Sequence, residues 1–134
     1  MSRSGKFPNG TLVQGMIPWR EYAIIDCSKP FPMGPMEIPK IDALIGKEEM
    51  FLGIFGTTGL TAAIGMKVKG GLKKSDVVVV SGAAGATGSV AGQIAKAQGA
   101  SKIIGICGSD EKCDFIKSIG FTHAVMRYFN YGYS

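Results

Sequence analysis

Residues 77–97 read VVVVSGAAGATGSVAGQIAKA, and the fold turns on them. Four consecutive valines favour an extended chain, because branching at Cβ suits a pleated strand better than a helix. A continuous apolar run bounded by turns is the pattern of a parallel strand buried on both faces. The turn that follows is Ser81-Gly82-Ala83-Ala84-Gly85-Ala86-Thr87-Gly88-Ser89. From near Thr87 the apolar residues Val90, Ile94 and Ala97 share one helical face, and Gly99 ends the helix. A strand, a glycine turn and a helix in that order open a dinucleotide-binding βαβ unit, whose fingerprint is G-x-G-x-x-G/A. With Ala83 in first position the turn reads A-x-G-x-x-G. Gly85 then lets the backbone approach a pyrophosphate, and Gly88 lets the helix pack close to the strand. The helix N-terminus turns free N–H groups toward the anion. The triphosphatase loop is excluded, since no Gly-Lys-Ser/Thr follows. A purely structural tight turn is the other reading of the same glycines.

Downstream, KIIGIC (102–107) is a second apolar strand and DEKCDFIKSIG (110–120) a second helix. Asp110 and Glu111 fall in the helix's first turn, where the macrodipole favours acids. Phe115, Ile116 and Ile119 are expected to face inward. A βαβα run folds into parallel strands joined by right-handed crossovers. The fold class is therefore α/β, a partial Rossmann domain with a doubly wound parallel sheet. Two or three strands with two helices leave one sheet edge and one face uncovered.

The end of the second strand discriminates between cofactors. NAD sites usually place an Asp or Glu there to hold the adenine ribose 2′-hydroxyl. This strand ends Ile106-Cys107-Gly108-Ser109, with Lys112 shortly after. Small residues leave room for a 2′-phosphate and Lys112 can pair with it, so NADPH is the expected cofactor. The competing reading has Asp110 doing the NAD task and Lys112 as a plain surface lysine.

Upstream, residues 11–26 read as strand, break, strand, with Pro18 interrupting. The proline-rich residues 27–40 form an irregular connection. Ile41, Leu44, Ile45, Phe51, Leu52 and Phe55 recur at helical spacing, broken near Gly46. Thr57 and Thr58 are candidate N-caps for a short helix through Leu60, Ala63 and Ile64.

With 134 residues, 46% hydrophobic and 19% charged, the composition is globular. No apolar run reaches the roughly 18 residues of a membrane span, and the N-terminus lacks the apolar core of a signal peptide. A cytoplasmic protein with no membrane partner is expected. Cys27, Cys107 and Cys113 are odd in number and form no CxxC, which argues against a disulfide framework. One histidine and no ligand-spaced pair argue against a metal. The net charge is +5, yet the lysines are dispersed and not interleaved with aromatics, so no nucleic-acid partner is expected. Trp19 is read as a core or cleft-wall residue, with substrate contact the alternative, and Cys107 and Cys113 as small buried hydrophobes, with reactive thiols the alternative.

Residues 77–113, with FLGIFGTTGLTAAIG (51–65) and IPWREYAIID (17–26), resemble the zinc-independent medium-chain dehydrogenase/reductase superfamily, in particular its prostaglandin reductases. The resemblance covers most of residues 11–121. It implies an oxidoreductase that reduces an α,β-unsaturated ketone with NADPH, as a 15-oxo-prostaglandin 13-reductase does, or alternatively a quinone oxidoreductase or a non-catalytic NADPH-binding piece. A small enone or lipid ketone would be the substrate, and the longer parent would be a monomer or homodimer. Carried over by position, Gly85, Ala86, Thr87 and Gly88 cradle the pyrophosphate and Lys112 meets the 2′-phosphate. Tyr131 of Asn130-Tyr131 is the counterpart of a cofactor-touching tyrosine. The family's catalytic tyrosine lies outside this chain. Gly15 and Met16 stand where an aromatic pair lines the substrate site, and Thr57-Thr58 replace Met-Pro. The resemblance divides the chain into a remnant of a mostly-β, GroES-like catalytic domain (1–40), connecting helices (41–75) and the first half of an NADPH-binding Rossmann domain (76–134). It also implies an incomplete chain.

Overall fold

A computed structural model describes residues 5–31, 33–38 and 47–127. The expectations for Ile41, Leu44, Ile45 and Tyr131 lie outside those residues. The chain divides into two compact units, Met1–Phe51 and Leu52–Ser134.

In the first unit, β1 (Val13–Gln14) pairs antiparallel with β2 (Met36–Glu37), Val13 opposite Glu37 and Gln14 opposite Met36. The Ile38 N–H donates to the Leu12 carbonyl at 2.9 Å and lengthens this ladder. The second strand expected near residues 21–26 does not form. An extended segment becomes a strand only when a neighbour takes its N–H and C=O groups, and among the described residues β1 and β2 pair only with each other. Trp19 and Ile24 are consequently fully exposed, and Tyr22 nearly so. This corrects the placement of Trp19 in a core; it instead lines a shallow surface concavity. Met16 is also exposed and Gly15 half-buried. Glu48–Leu52 then form a 3-10 helix with no buried residue.

The second unit opens with α1 (Thr57–Ala63). Its N-cap is Gly56, not Thr57 or Thr58, and no side chain caps it. Thr57 is already helical, and its carbonyl accepts from the Thr61 hydroxyl at 2.7 Å. The helix widens into a π-helical stretch, Ile64–Lys69, closed by the Gly70 N–H donating to the Gly65 carbonyl at 2.7 Å. Met66 and Leu72 from this region pack on the core of the unit.

The sheet is parallel, with order β3 (Val77–Ser81), β4 (Lys102–Cys107), β5 (His123–Met126). Val77 lies opposite Lys102 in one pair, and Ile104 opposite His123 in the other. Between strands run α2 (Ala86–Ala97) and α3 (Asp110–Ser118). Both crossovers cover one face of the sheet, where Ala83, Ala95, Ile103, Cys107, Cys113, Ile116 and Phe121 form the core. The approach is close: a Cβ on Gly92 would fall on the Phe121 ring, and one on Gly105 would come 2.8 Å from the Ala83 Cβ.

The two helices end alike. Gly99 and Gly120 have φ of +78° and +109°. In each case the glycine N–H and the next N–H reach back to the last helical carbonyls, Lys96 and Ala95 in α2, Lys117 and Ile116 in α3. Thr122 then stands in for a strand partner. Its hydroxyl accepts the Ile103 N–H at 2.8 Å and donates to the Ile103 carbonyl at 3.0 Å.

Two expectations about facing are corrected. Val77 and Val79 are exposed, because the described residues supply no helix on that side of the sheet. In α3 the inward residues are Cys113 and Ile116, while Phe115 is 46% exposed. Both predicted cysteines of this unit are buried.

Candidate functional site

The carboxyl ends of β3 and β4, the first turn of α3 and the residue after β5 surround one groove of about 370 Å³. Open parallel sheets hold ligands at this end, where the strands deliver their loops.

Its floor is the glycine turn. Gly82, with φ +62°, takes the left-handed conformation, so the tight-turn position of the fingerprint is Gly82 and not Ala83. Ala83 is instead fully buried beneath the turn. The pattern in space is Gly82-x-x-Gly85-x-x-Gly88.

Gly85 and Gly88 are glycines for different reasons. A Cβ on Gly88 would collide with the Gly82 carbonyl oxygen and lie 2.9 Å from the Ala83 Cα, so packing of α2 on β3 demands a bare Cα. Gly85 has φ −76°, which any residue adopts, and its Cβ would meet only the Gly82 oxygen, at 3.2 Å. The steric demand at Gly85, one tight contact with a backbone oxygen, is milder than at Gly88. Gly85 lines the groove.

Gly85 is also the N-cap of α2 and offers no side chain to the helix. Ala86, Thr87 and Gly88 form the first turn, whose N–H groups have no intrahelical acceptor. At the start of α3 the contrast is plain, because the Ser109 hydroxyl accepts the Lys112 N–H at 3.4 Å. That cap fixes the turn from which Lys112 enters the groove. The Cys107 thiol adds a second tie, donating to the Lys112 carbonyl at 3.6 Å. Burial, followed by the neighbouring Cys107, pushes the Cys113 thiol above its ordinary pKa.

Of the sequence-predicted residues, Gly85 and Lys112 line the groove, and Ala86, Thr87 and Gly88 lie at the helix end beside it. Among the described residues, neither Asp110 nor another carboxylate lines it. Arg127 does, and the sequence reading missed it. The available signal was a lone arginine one residue past the third strand. Gly15 and Met16 belong to the other unit. A shallow concavity there is walled by residues 17–21 rather than by these two.

Residues 86–131 match the family described as zinc-binding dehydrogenase. Mouse prostaglandin reductase 1 is 41% identical over 130 residues, covering 97% of this chain. YfmJ of Bacillus subtilis (strain 168), named as an NADP-dependent oxidoreductase, is 42% identical over 126 residues, or 93% of this chain. These matches make the chain similar to reductases of the medium-chain dehydrogenase/reductase superfamily. The crystal structure of CurA from Vibrio vulnificus in complex with NADPH superposes on 72% of the chain with a TM-score of 0.62 and 34% identity, over 28% of CurA. The chain spans about a third of the two relatives' length, 36% of the mouse enzyme and 34% of YfmJ. Zinc, part of the family description, has no donor group of three or more His, Cys, Asp or Glu among the described residues. Nor is any helix among them long and apolar enough to cross a membrane.

Proposed function

We propose that the groove takes NADPH and that the protein to which this sequence contributes is an NADPH-dependent reductase of α,β-unsaturated ketones. The observation that carries the cofactor half is the groove's composition. It has a glycine cradle at Gly85, Lys112 at the start of α3, and no lining carboxylate among the described residues. A carboxylate there would accept a ribose hydroxyl and repel a phosphate. Lys112 on that rim suits the 2′-phosphate that distinguishes NADPH from NADH.

Gly85 and the first-turn amides of Ala86, Thr87 and Gly88 hold the pyrophosphate, with N–H groups and helix dipole aimed at the negative charge. Lys112 sits at the adenine-ribose end and meets the 2′-phosphate as a point charge. When bound, NADPH supplies a hydride to the β-carbon of the enone, and the charge that develops on the carbonyl oxygen needs a hydrogen-bond donor. Gly15 and Met16 are proposed as substrate-side residues, on the resemblance of residues 17–26 alone. The enone class is supported by 41% identity to a prostaglandin reductase. The cofactor is supported by the names of YfmJ and of the CurA complex.

The test is turnover of a simple enone with NADPH deuterated at the transferred position. The expected product carries deuterium on the β-carbon. Deuterium at the carbonyl carbon would make the protein an alcohol-forming dehydrogenase and end the enone reading.

A further inference from the structure

We propose that the amino end of the parallel sheet, the end away from the groove, is a docking surface for an anionic lipid bilayer. The inference is independent of the cofactor reading, because the groove opens at the carboxyl ends of the same strands.

Lys69, Lys73, Lys74, Lys96 and Lys102 are dispersed along the sequence, and the fold gathers them. Lys102 opens β4 opposite Val77, the first residue of β3, so parallel register sets it at the amino end. Lys73 and Lys74 lie in the turn before β3. That turn is tied to the approach to β4, where the Ser75 N–H donates to the Gly99 carbonyl and the Ser101 N–H to the Asp76 carbonyl, both at 2.8 Å. Lys96 is in the last turn of α2, which returns the chain to the same end. Its side chain lies over Gly120, where an added Cβ would come 2.6 Å from Nζ. Lys69 closes the π-helical stretch, and the Leu72 N–H donates back to the Met66 carbonyl at 3.0 Å, just before Lys73. All five lysines are exposed, and among the described residues none of them pairs with a carboxylate. Asp76 is the acid of this turn, and its carboxylate accepts the Lys73 backbone N–H at 2.8 Å.

Like charges gathered at one end repel, and an anionic surface turns that repulsion into attraction. Charge alone would suit a nucleic acid as well, and the neighbouring apolar side chains decide for lipid. Leu60, Ile64 and Val68 recur every fourth residue along α1 and its π-helical continuation, and all three are exposed. Ala62 is buried and Met66 packs on the core, so the helix is already seated by another face. The exposed stripe ends at Val68, which stands between Lys67 and Lys69. An apolar stripe bordered by lysines suits the boundary between headgroups and acyl chains, with the ammonium groups on the phosphates. Residues 52–126 hold no tryptophan, tyrosine or arginine, the side chains that stack on bases or fork their edges. No helix among the described residues is long and apolar enough to cross a membrane, so the contact is with the bilayer surface.

The experiment is co-sedimentation of the full 134-residue chain with vesicles of phosphatidylcholine, alone or mixed with phosphatidylserine. Far-UV circular dichroism checks that each variant folds. The wild type should pellet with the mixed vesicles and not with phosphatidylcholine alone, and added salt should release it. Lys74→Gln and Lys102→Gln should each weaken binding about fivefold. Val68→Ser should weaken it as well. Lys29→Gln removes the same charge from the other unit and should leave binding within about twofold. Failure to pellet with the mixed vesicles would overturn the proposal. So would an equal loss in Lys29→Gln, which would make the effect one of net charge. Binding of single-stranded RNA in place of vesicles, or wild-type binding by Val68→Ser, would replace the bilayer with a plain polyanion.

Discussion

The Arg127 N–H bonds the Cys107 carbonyl at 2.8 Å, and this last rung of the β4–β5 ladder sets a cation beside the groove that Lys112 also lines. The site is thus a product of sheet register. Shifting β5 by one residue along β4 would exchange its two faces and carry Arg127 away from Cys107. The same end of the sheet bears the glycine turn, so groove-lining residues follow all three strands without any long loop.

Gly85 and Gly88 should separate binding from folding. Gly88→Ala forces a methyl against the Gly82 carbonyl, where backbone must move. It is expected to cost about 1–3 kcal/mol in a urea melt. Gly85→Ala should leave the melt nearly unchanged and weaken NADPH binding by at least about tenfold, because its methyl enters the groove. Equal effects of both changes on stability would contradict the distinction.

Ser109 caps α3 and holds the turn bearing Lys112. Ser109→Ala should lower stability by about 0.5–2 kcal/mol. Ser109→Asp should recover that loss, since aspartate caps as well and suits the helix dipole. Its charge, however, stands near the proposed 2′-phosphate, so NADPH affinity should fall while NADH affinity holds. An Asp variant that binds NADPH like wild type would place the phosphate elsewhere.

The sequence announced strand, turn and helix through Val77–Ala97 because local properties determine them: β-branching, glycine clustering and helical spacing. What it left open depends on partners. Whether both faces of a valine strand are covered is decided by distant helices, and here Val77 and Val79 look outward. The fingerprint's first position, counted at Ala83 from spacing, falls on Gly82 because glycine adopts the left-handed turn freely. The phase of α3 is set by the Ser109 cap and buries Cys113 and Ile116 instead of Phe115. That Arg127 lines the groove depends on the pairing of β5 with Cys107, which the sequence alone does not specify.

The two sheet faces predict opposite responses. Val79→Thr, at a position 60% exposed, should change stability by less than about 0.5 kcal/mol. Ile116→Ala, fully buried in the core, should cost about 2–5 kcal/mol. A large loss at Val79 would mean that its face is covered in solution.

Cys113 links stability to alkaline pH. Its folded thiol keeps the proton to higher pH than the unfolded thiol does, because burial and Cys107 raise its pKa. The associated stability is complete below the unfolded value and is lost as pH climbs through the folded one. Urea melts of wild type and Cys113→Ala across that range should show the steeper decline in the wild type. Parallel declines would remove Cys113 as the cause.

The most direct test of the account is calorimetric titration of the folded 134-residue chain with NADPH and with NADH in parallel. The account predicts NADPH binding that exceeds NADH binding by at least about tenfold, with most of the excess lost in Lys112→Ala. Equal binding of the two, or tighter binding of NADH, would contradict it.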